Sequence, residues 1–494
     1  MKIKRIISLV LAASMLIAGL IFPGCNEQRG ERQADVNSPV PTELAEQNSQ
    51  EPSELPTEDA MPASTVPGTS GKTVSVVKAV APFADYPQDP DSVRRTEYGS
   101  AEEKKKWSKM QEEWKAADDA RKAAAEDFMG MSKFGSAIIS ESVKHAGENN
   151  MVMSPVSIYM ALAMLAEATG GETRKEILDA LDIESMGKLR DNCLSLMKAE
   201  SVDDGVTKGV FANSLWINDG IEFNDKTLET IAEYYFASSY AGDPASKSFA
   251  KAMKEWLNEQ TGGLLNESID SIDIDPNLLI AVSSTVYIKA KWEEKFNWDK
   301  TKKGIFHAAS GDIECPLMHD SFNTYYFKGD DFAAISLSLK NESGEVWFLL
   351  PDEGVTIEKM LENGGLDFLL SDKTGGYDEC RVNVVMPRLD ISSDNDIIET
   401  LKSIGVVSCF SSEADFTPLS SVGASVSQAN QAARFKADEY GMEAAAYSVA
   451  YATYGGSYKP ENDVDFIADR PFVFCVKGVS DAPLFVGVVN TPIN

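Results

Sequence analysis

Residues 439–456 read Glu-Tyr-Gly-Met-Glu-Ala-Ala-Ala-Tyr-Ser-Val-Ala-Tyr-Ala-Thr-Tyr-Gly-Gly, and small and bulky residues alternate along them. After Met442, every second position is small: Ala444, Ala446, Ser448, Ala450 and Ala452. A period of two is that of a β-strand with one narrow face. The opposite face carries Tyr and Thr, which do not suit a dry core without hydrogen-bond partners. We therefore predict a strand-competent segment that is held as an exposed loop.

Glycine and proline mark both ends of this segment. Gly441 lies near its start, and Gly455, Gly456 and Pro460 lie at or just beyond its end, a pattern typical of loops. The competing interpretation is an alanine-rich helix, since residues 442–446 have high helix propensity. Taken alone, the segment leaves both interpretations open.

The composition favours one large acidic domain behind a long N-terminal extension. The 494 residues include 77 acidic and 46 basic side chains, for a net charge of -31. Because phosphate binding needs a basic surface, nucleic acid is a poor partner. The six cysteines show no C-x-x-C pair, and five remain if Cys25 is modified, so we predict buried thiols and no disulfide framework.

The N-terminus is predicted to be a targeting segment. Lys2, Lys4 and Arg5 precede an apolar run at residues 6–22, which is too short and one-sided for an ordinary transmembrane helix. We assign residues 1–24 as a signal peptide and expect an exported protein. Gly-Cys at 24–25 resembles a bacterial lipoprotein signal, in which Cys25 would carry the lipid, and plain secretion is the alternative.

Two segments separate the signal peptide from the main domain. Residues 25–99 are rich in Pro, Ser, Thr and Glu and are predicted to be a low-complexity tether, with a possible short strand at 74–80. Residues 100–127 are predicted to be a charged helix that leans on the main domain. Its apolar stripe consists of Trp107, Met110, Trp114 and Ala117.

The main domain, residues 128–494, carries an ordered series of short motifs. They are Asn-Met-Val-Met-Ser-Pro-Val-Ser-Ile at 150–158, Asn-Ser-Leu-Trp at 213–216, Val-Tyr-Ile-Lys-Ala-Lys-Trp at 286–292, Trp-Phe-Leu-Leu-Pro at 347–351, Val-Met-Pro-Arg at 385–388, Arg-Pro-Phe at 470–472 and Phe-Val-Gly-Val-Val-Asn at 485–490. With Glu439, Gly441 and the alanines after Glu443, this series resembles the serpin family. The motifs are weak singly and specific in their order.

The resemblance implies an α+β fold in which a helical cluster lies over three β-sheets. It also implies that the exposed loop can enter the largest sheet as an extra strand. The hinge and inserting loop would comprise Glu439, Gly441, Met442, Glu443, Ala444, Ala445, Ala446, Ser448, Ala450 and Ala452. The family's spacing places the cleaved bond at Gly455-Gly456, with Tyr454-Gly455 as the neighbouring candidate.

Three residues depart from the family pattern. Met442 stands where the hinge usually has a small or hydroxyl residue, and we expect it to enter the sheet slowly. Ser284 and Gln431 replace an Asn and a His that usually hydrogen-bond beneath the large sheet. Ser154 and Ser157 are their predicted partners, and Trp292 completes the region implied in sheet opening. A rewired polar network and a loss of sheet opening both remain open.

No constellation of side chains in the sequence indicates an enzyme. His145, His307 and His319 lack metal-ligand spacing, and there is no G-x-S-x-G or phosphate-cradling glycine loop. The aspartates near 270–275 and 390–396 lack the pattern of a calcium loop and are interpreted as solvated acidic faces. We therefore expect no metal, no cofactor and no catalytic residues.

The resemblance implies a suicide-substrate inhibitor of serine endopeptidases, with cysteine endopeptidases as second candidates. Tyr454 would suit a chymotrypsin-like or subtilisin-like pocket. The alternative is a non-inhibitory surface protein with the same fold, which binds a partner. In either case we expect a monomer outside the cell, attached to a membrane only through an N-terminal lipid.

Overall fold

The computed structural model describes residues 12–21, 74–77, 79, 86–90, 100–371, 378–442 and 463–493, and at 12–21, 74–77 and 378 it describes the backbone only. The helices in these ranges are α1 Ala101–Asp127, α2 Ser132–Ala146, α3 Pro155–Ala168, α4 Gly171–Ala180, α5 Met186–Glu200, α6 Asp225–Tyr235, α7 Lys247–Gln260, α8 Asn266–Ser271, α9 Ile357–Met360, α10 Leu366–Leu370 and α11 Ile398–Ser403. The strands are β1 Ala12–Ile21, β2 Val74–Val77, β3 Met151–Met153, β4 Val202–Asp203, β5 Lys208–Asn218, β6 Ala237–Gly242, β7 Leu278–Lys289, β8 Lys302–Ala308, β9 Gly311–Lys328, β10 Phe332–Ser338, β11 Glu345–Pro351, β12 Asp378–Pro387, β13 Leu389–Asp396, β14 Ser425–Ala437, β15 Asp463–Ile467, β16 Phe472–Lys477 and β17 Pro483–Val489.

The first sheet has eight strands in the order β13-β14-β1-β7-β5-β6-β2, with β4 paired to β5. Its third member, β1, is antiparallel to both neighbours, β14 and β7. This strand lies within residues 1–24, where a signal peptide is predicted, so the structure gives part of that segment a place in the sheet. We call the space between β7 and β14 the slot.

The second sheet has nine strands in the order β15-β12-β9-β10-β11-β16-β17-β3, with β8 paired to β9. The 18-residue strand β9 bonds to β8 and β12 along most of its length and to β10 at its last residues. Two of the three predicted sheets are therefore continuous through β9. Helices together with one large sheet and these smaller sheet regions give the predicted α+β architecture.

The large sheet is buried on both faces. Helix α3, whose residues are all buried, packs beneath it in the main core. Ser154 caps this helix by accepting a hydrogen bond from the Ser157 N–H, and Pro155 occupies the first turn, as predicted. A second apolar cluster, which includes Trp216, Phe249 and Trp256, joins the sheet to α7. Strand β7 accordingly has eleven buried residues among its twelve.

Strand β2, residues 86–90 and helix α1 of the N-terminal extension contact the main domain. Strand β2 pairs with β6, as the sequence suggested for 74–80. Residues 86–90 were assigned to the tether, but Tyr86 is buried and the Asp89 N–H donates to the Asp204 carbonyl at 2.7 Å. Tyr86 supplies the apolar area that the composition of the rest of the tether lacks. Helix α1 begins at Ser100 with a capping box, and it packs against α5.

Among the residues that the structure describes, no helix combines the length and apolar character needed to cross a membrane. The cysteines in the described ranges, Cys193, Cys315, Cys380, Cys409 and Cys475, are buried thiols, as predicted.

Candidate functional site: the strand slot and its hinge

The slot accepts a complete strand. Strand β1 pairs with β7 from Ala12 opposite Ile288 onward, and with β14 from Ala13 opposite Arg434 onward. Its middle residue, Leu16, lies opposite both Ser284 and Gln431. The slot is therefore wide enough for one strand that runs antiparallel to β7 and to β14.

The hinge, which we define as residues 438–442, is a tight turn directly after β14. The Asp438 N–H donates to the Gly441 carbonyl, and the Tyr440 N–H donates to a carboxylate oxygen of Asp438 at 2.8 Å. Gly441 has a φ of +146°, and a Cβ at this position would lie 2.4 Å from the Ala290 carbonyl oxygen. Only glycine fits this turn without strain.

A buried ion pair fixes the hinge to the second sheet. The Glu439 side chain is 0% exposed and accepts hydrogen bonds from the Arg388 guanidinium, the shortest at 2.7 Å. Thr301 donates its hydroxyl to the same carboxylate at 2.6 Å. The Arg388 guanidinium also lies over the exposed Trp298 ring, 4.1 Å from its centroid. Arg388 belongs to the Val-Met-Pro-Arg motif at 385–388, but nothing in that motif indicates a role at the hinge.

Asp438 is a second buried carboxylate in the hinge. Burial raises its pKa to about 6, and the neighbouring Glu439 carboxylate also raises it, while backbone N–H groups and Arg388 act in the opposite direction. Two acidic side chains thus lie side by side with one arginine to share. Sequence reasoning missed Asp438, although its position just before Glu439 was visible.

Trp292 lies where β7 ends and the hinge begins. It is 1% exposed, its indole N–H donates to the Asp438 carbonyl at 2.9 Å, and its backbone N–H donates to the Tyr440 carbonyl. An isolated β-bridge pairs it with Leu339 of the second sheet. Trp292 therefore lies just beyond β7 and not within it, and it joins both sheets to the hinge.

Met442 is already seated at the entrance of the slot. Its side chain is 0% exposed within the main core, and its N–H donates to the Ala290 carbonyl at 2.8 Å. The adjacent Gly441 pairs with Lys291 in antiparallel register. A methionine can fill an irregular gap because its side chain is flexible. The structure thus places Met442, the last residue of the hinge, in the core beside the end of β7. Its slow entry into the sheet stays a prediction.

Four neutral polar residues meet beneath the middle of the slot, and we call them the polar quartet: Ser154, Ser157, Ser284 and Gln431. All are buried. The Gln431 side-chain amide donates to the Ser154 carbonyl at 3.0 Å, and the Ser157 hydroxyl donates to the Ser284 carbonyl at 3.0 Å. Gln431 thus bonds to Ser154 through its side chain, whereas Ser284 takes part only through its backbone carbonyl, and neither acceptor is a serine hydroxyl.

Most of the predicted inserting loop and the lipid site lie outside the described residues. These are Glu443, Ala444, Ala445, Ala446, Ser448, Ala450, Ala452, Tyr454, Gly455, Gly456 and Cys25. The hinge, Trp292 and the polar quartet are described, and they lie along one line, from the entrance of the slot to its middle.

The described residues contain no cluster of three or more side chains suited to hold a metal ion. Around 390, the interpretation as a solvated acidic face fits Asp394 and Asp396, which are exposed, but not Asp390, which is half-buried. Asp390 pairs with Arg434 and with Lys436, each at 2.8 Å. Burial raises the pKa of Asp390, but the two cations together outweigh burial and lower it. Strand pairing of β13 with β14 brings these charges together, a contact that linear sequence does not show.

This arrangement defines a class of protein: an α+β molecule whose large sheet has a strand-wide slot in line with a hinge and the start of a loop. The family model described as serpin, serine protease inhibitor, matches residues 129–492. The chain belongs to the serpin family, whose members are generally non-enzymatic inhibitors of proteases.

Individual relatives agree with this assignment. Serpin-ZX of Arabidopsis thaliana is 26% identical over 367 residues, which cover 70% of this chain and 93% of the relative. The native structure of tengpin, a thermophilic serpin, has a TM-score of 0.64 at 23% identity and covers 73% of this chain and 93% of that one. Human thyroxine-binding globulin, solved with its hormone, has a TM-score of 0.61 at 22% identity, covering 74% and 99%. These two structures support the fold alone.

Proposed function

We propose that this protein inhibits serine endopeptidases as a suicide substrate, with cysteine endopeptidases as second candidates. The target cleaves the loop that follows the hinge, and the freed segment enters the slot while it is still esterified to the protease. The observation that carries this proposal is the register of the hinge. It runs without a break into the register of the strand that fills the slot.

Two backbone pairings along β7 set the register. Gly441 lies opposite Lys291, and β1 begins with Ala12 opposite Ile288. Continuing the hinge along β7 in the antiparallel sense would bring Ala444 opposite Ile288, where Ala12 lies now. The loop would therefore replace β1 residue for residue, with no change in the spacing of the sheet.

The same register supports the predicted facing of the loop. Met442 lies in the main core, and residues of the same parity share its face in a strand. Ala444, Ala446, Ala450 and Ala452 would then enter the crowded inner face as small side chains. Ser448, the one hydroxyl of that parity, would come opposite Ser284 and Gln431. A polar residue would meet the polar quartet where β1 has Leu16.

The available free energy is sufficient for the task. An inserted strand of about 10 residues gains on the order of 10 kcal/mol, at about 1 kcal/mol net for each backbone hydrogen bond. This is comparable with the stability of a whole domain, about 5 to 15 kcal/mol. Release of such energy could deform a protease that is attached to the end of the strand.

Because β1 occupies the slot in the full chain, we propose that inhibition requires removal of residues 1–24. Export would remove them as a signal peptide, and lipid on Cys25 would hold the protein at the cell surface. In the secreted form without lipid, the slot would be equally free.

The test compares the full chain with a chain that begins at residue 26. Each is mixed with a chymotrypsin-like and a subtilisin-like protease and analysed by denaturing electrophoresis. We expect the shorter chain to form a covalent complex and the full chain to form less of it. Cleavage without a complex in both chains contradicts the proposed inhibition. Mass spectrometry of the released peptide identifies the bond, expected at Gly455-Gly456 or Tyr454-Gly455.

Two arginine substitutions form a matched pair for the mechanism. Ala444→Arg would force a long charge into the sheet, so we expect an inhibitor to become a substrate. Ala445→Arg carries the same charge one position later, on the opposite face, and should retain most of the complex. Equal inhibition by both variants would contradict the assigned facing.

The second candidate is a non-inhibitory surface protein that binds a partner. It is favoured by β1, because a sheet that is already complete has no room for the loop. Under this alternative, a nicked chain that begins at residue 26 melts at the same temperature as the intact one. Under the first proposal, nicking raises the melting temperature, because the loop completes the sheet.

A further inference from the structure

Residues 86–90 and helix α1 lie before the family match, which begins at residue 129, yet both contact the domain at one particular place. Trp114 of α1 donates its indole N–H to the Asp204 carboxylate at 3.2 Å. Asp89 donates its backbone N–H to the carbonyl of the same aspartate. Asp204 is 2% exposed and accepts the N–H of Thr207, in the turn between β4 and β5. The extension therefore forms hydrogen bonds with the β4–β5 turn.

The same extension also contacts the turn Lys340–Glu342, which joins β10 to β11. Asn341 donates its side-chain amide to Asp204 at 2.9 Å and to Asp89 at 3.2 Å. Lys122 of α1 pairs with Glu342 at 2.5 Å. Both Asn341 and Glu342 have left-handed backbones, with φ of +59° and +51°. This conformation is unfavourable for glutamate, so contacts from outside help to hold it.

This second turn connects directly to the hinge. The Lys340 N–H donates to the Lys291 carbonyl at 2.9 Å, and Lys291 pairs with Gly441. Leu339 pairs with Trp292, whose indole holds Asp438. A chain of bonded groups therefore leads from α1 to the entrance of the slot.

Arg121 shows that α1 is part of the folded core. It is 2% exposed, pairs with Asp118 at 3.3 Å, and its Nε has no hydrogen-bond partner in the described part of the chain. It lines a cavity of about 10 Å³ between the two sheets, together with Glu200, Ala290 and Lys477. That volume suits a single water molecule, which the free Nε could bind. Without α1, the end of β7 would face an open polar cavity.

We propose that residues 86–90 and helix α1 act as a clamp on the entrance of the slot. By tying the β4–β5 turn to the Lys340–Glu342 turn, the clamp keeps Ala290 and Lys291 in place against the hinge. The inference deepens the proposed function and rests on it, because the opening that the clamp restrains is the one loop insertion needs. A partner that displaced α1 would speed that opening.

Hydrogen exchange on the full chain tests the clamp without any protease. The double variant Trp114→Phe with Lys122→Met removes one hydrogen-bond donor and one charge from α1. Phenylalanine keeps an aromatic ring at 114, and methionine keeps the length of the side chain at 122. We expect exchange about tenfold faster in peptides that contain Trp292, Lys340 and Met442, the effect of losing one or two net hydrogen bonds. Exchange in α7, on the other side of the large sheet, should not change.

Two further variants make the result specific. Lys109→Met breaks an exposed pair with Glu113 on the same helix, and it should leave the three peptides unchanged. Glu342→Gln weakens the clamp from the domain side, and it should speed exchange in the same peptides as the double variant. The clamp is overturned if the double variant speeds exchange within α1 alone. The electrophoresis experiment tests inhibition, and absence of a covalent complex there would refute it. The hydrogen-exchange experiment tests the clamp, and its result holds whether or not a complex forms.

Discussion

The hinge, at the entrance of the slot, and the polar quartet, at the middle of the slot, are stabilised by different kinds of interaction. At the hinge, two buried carboxylates, Asp438 and Glu439, depend on Arg388, on Thr301 and on backbone N–H groups. At the middle, the polar quartet is neutral and bonds to backbone carbonyls. The hinge therefore combines buried charge with a turn that only glycine fits, whereas the middle has neither.

Because of this difference, the stability of the hinge and the stability of the polar quartet should depend on pH in different ways. Charges removed from water are costly unless they are paired, and their balance changes with pH. A neutral network keeps its hydrogen bonds over the same range. We therefore expect the start of loop insertion to depend on pH and on single charges, and the passage through the middle to depend on the number of hydrogen bonds.

The largest expected effect comes from Arg388→Met, which leaves Glu439 buried and unpaired. Breaking a buried ion pair by removing one partner costs about 3 to 5 kcal/mol. We expect the free energy of unfolding, measured in urea, to fall by about 3 kcal/mol, since Arg388 itself is partly exposed.

The control is the double variant Arg388→Met with Glu439→Gln, which removes both charges and keeps both volumes. It should recover more than half of the loss, because no charge is then left buried alone. A double variant that is no more stable than the single one would show that packing, and not charge, holds the hinge.

Gly441→Ala is expected to have the second largest effect. Its Cβ would lie 2.4 Å from the Ala290 carbonyl oxygen on a backbone with positive φ. We expect a loss of about 2 kcal/mol in the free energy of unfolding, from strain and overlap. Gly423→Ala, where a Cβ meets nothing within 4 Å, is the matched control and should be near neutral. Similar losses at both positions would contradict the close approach of hinge and β7.

Much of the architecture could be predicted because it depends on local residue order. The cap at Ser154 and Pro155, the helix from Ser100 and the hinge glycine each have a local signature, and the structure has them in place. Glu439 was also assigned to the hinge from the sequence. Its partner was not, because Arg388 is separated from it by 50 residues and only strand pairing brings them together.

The rest of the site depends on contacts between distant segments. Arg121 continues the stripe of Trp107, Trp114 and Ala117 by one helical turn, but a charged residue in that stripe is normally expected to face solvent. The strand β1 could not be predicted either. An apolar run of this length suits a signal peptide, a buried helix or a buried strand, and composition cannot choose between them.

Asp438→Asn tests the pH dependence of the hinge. The folded protein raises the pKa of Asp438 from 3.8 to about 6, so the native state favours the protonated form. The contribution of this group to stability is complete below about pH 4 and is lost as pH rises through 6. The asparagine variant should therefore be more stable than the parent by about 1 to 2 kcal/mol at pH 8 and equal to it near pH 4. Glu439 and Arg388, which face Asp438, are unchanged in the variant.

Urea denaturation at pH 4, 6 and 8 measures this difference. A gain that is the same at all three values would mean that the carboxylate is not the cause. A loss at pH 8 would mean that the hydrogen bond from the Tyr440 N–H needs a full negative charge on its acceptor.

Gln431→Met is expected to have the smallest effect, and it sharpens the contrast between hinge and middle. The variant keeps the length of the side chain and removes the donor to the Ser154 carbonyl, which still accepts the Ile158 N–H at 3.3 Å. One neutral hydrogen bond contributes about 1 kcal/mol, so the free energy of unfolding should fall by about that amount. The loss should be the same at pH 4, 6 and 8, because no member of the polar quartet titrates in this range. A loss that grows with pH would show that the middle of the slot is coupled to the charges of the hinge, and the two regions could no longer be treated as separate.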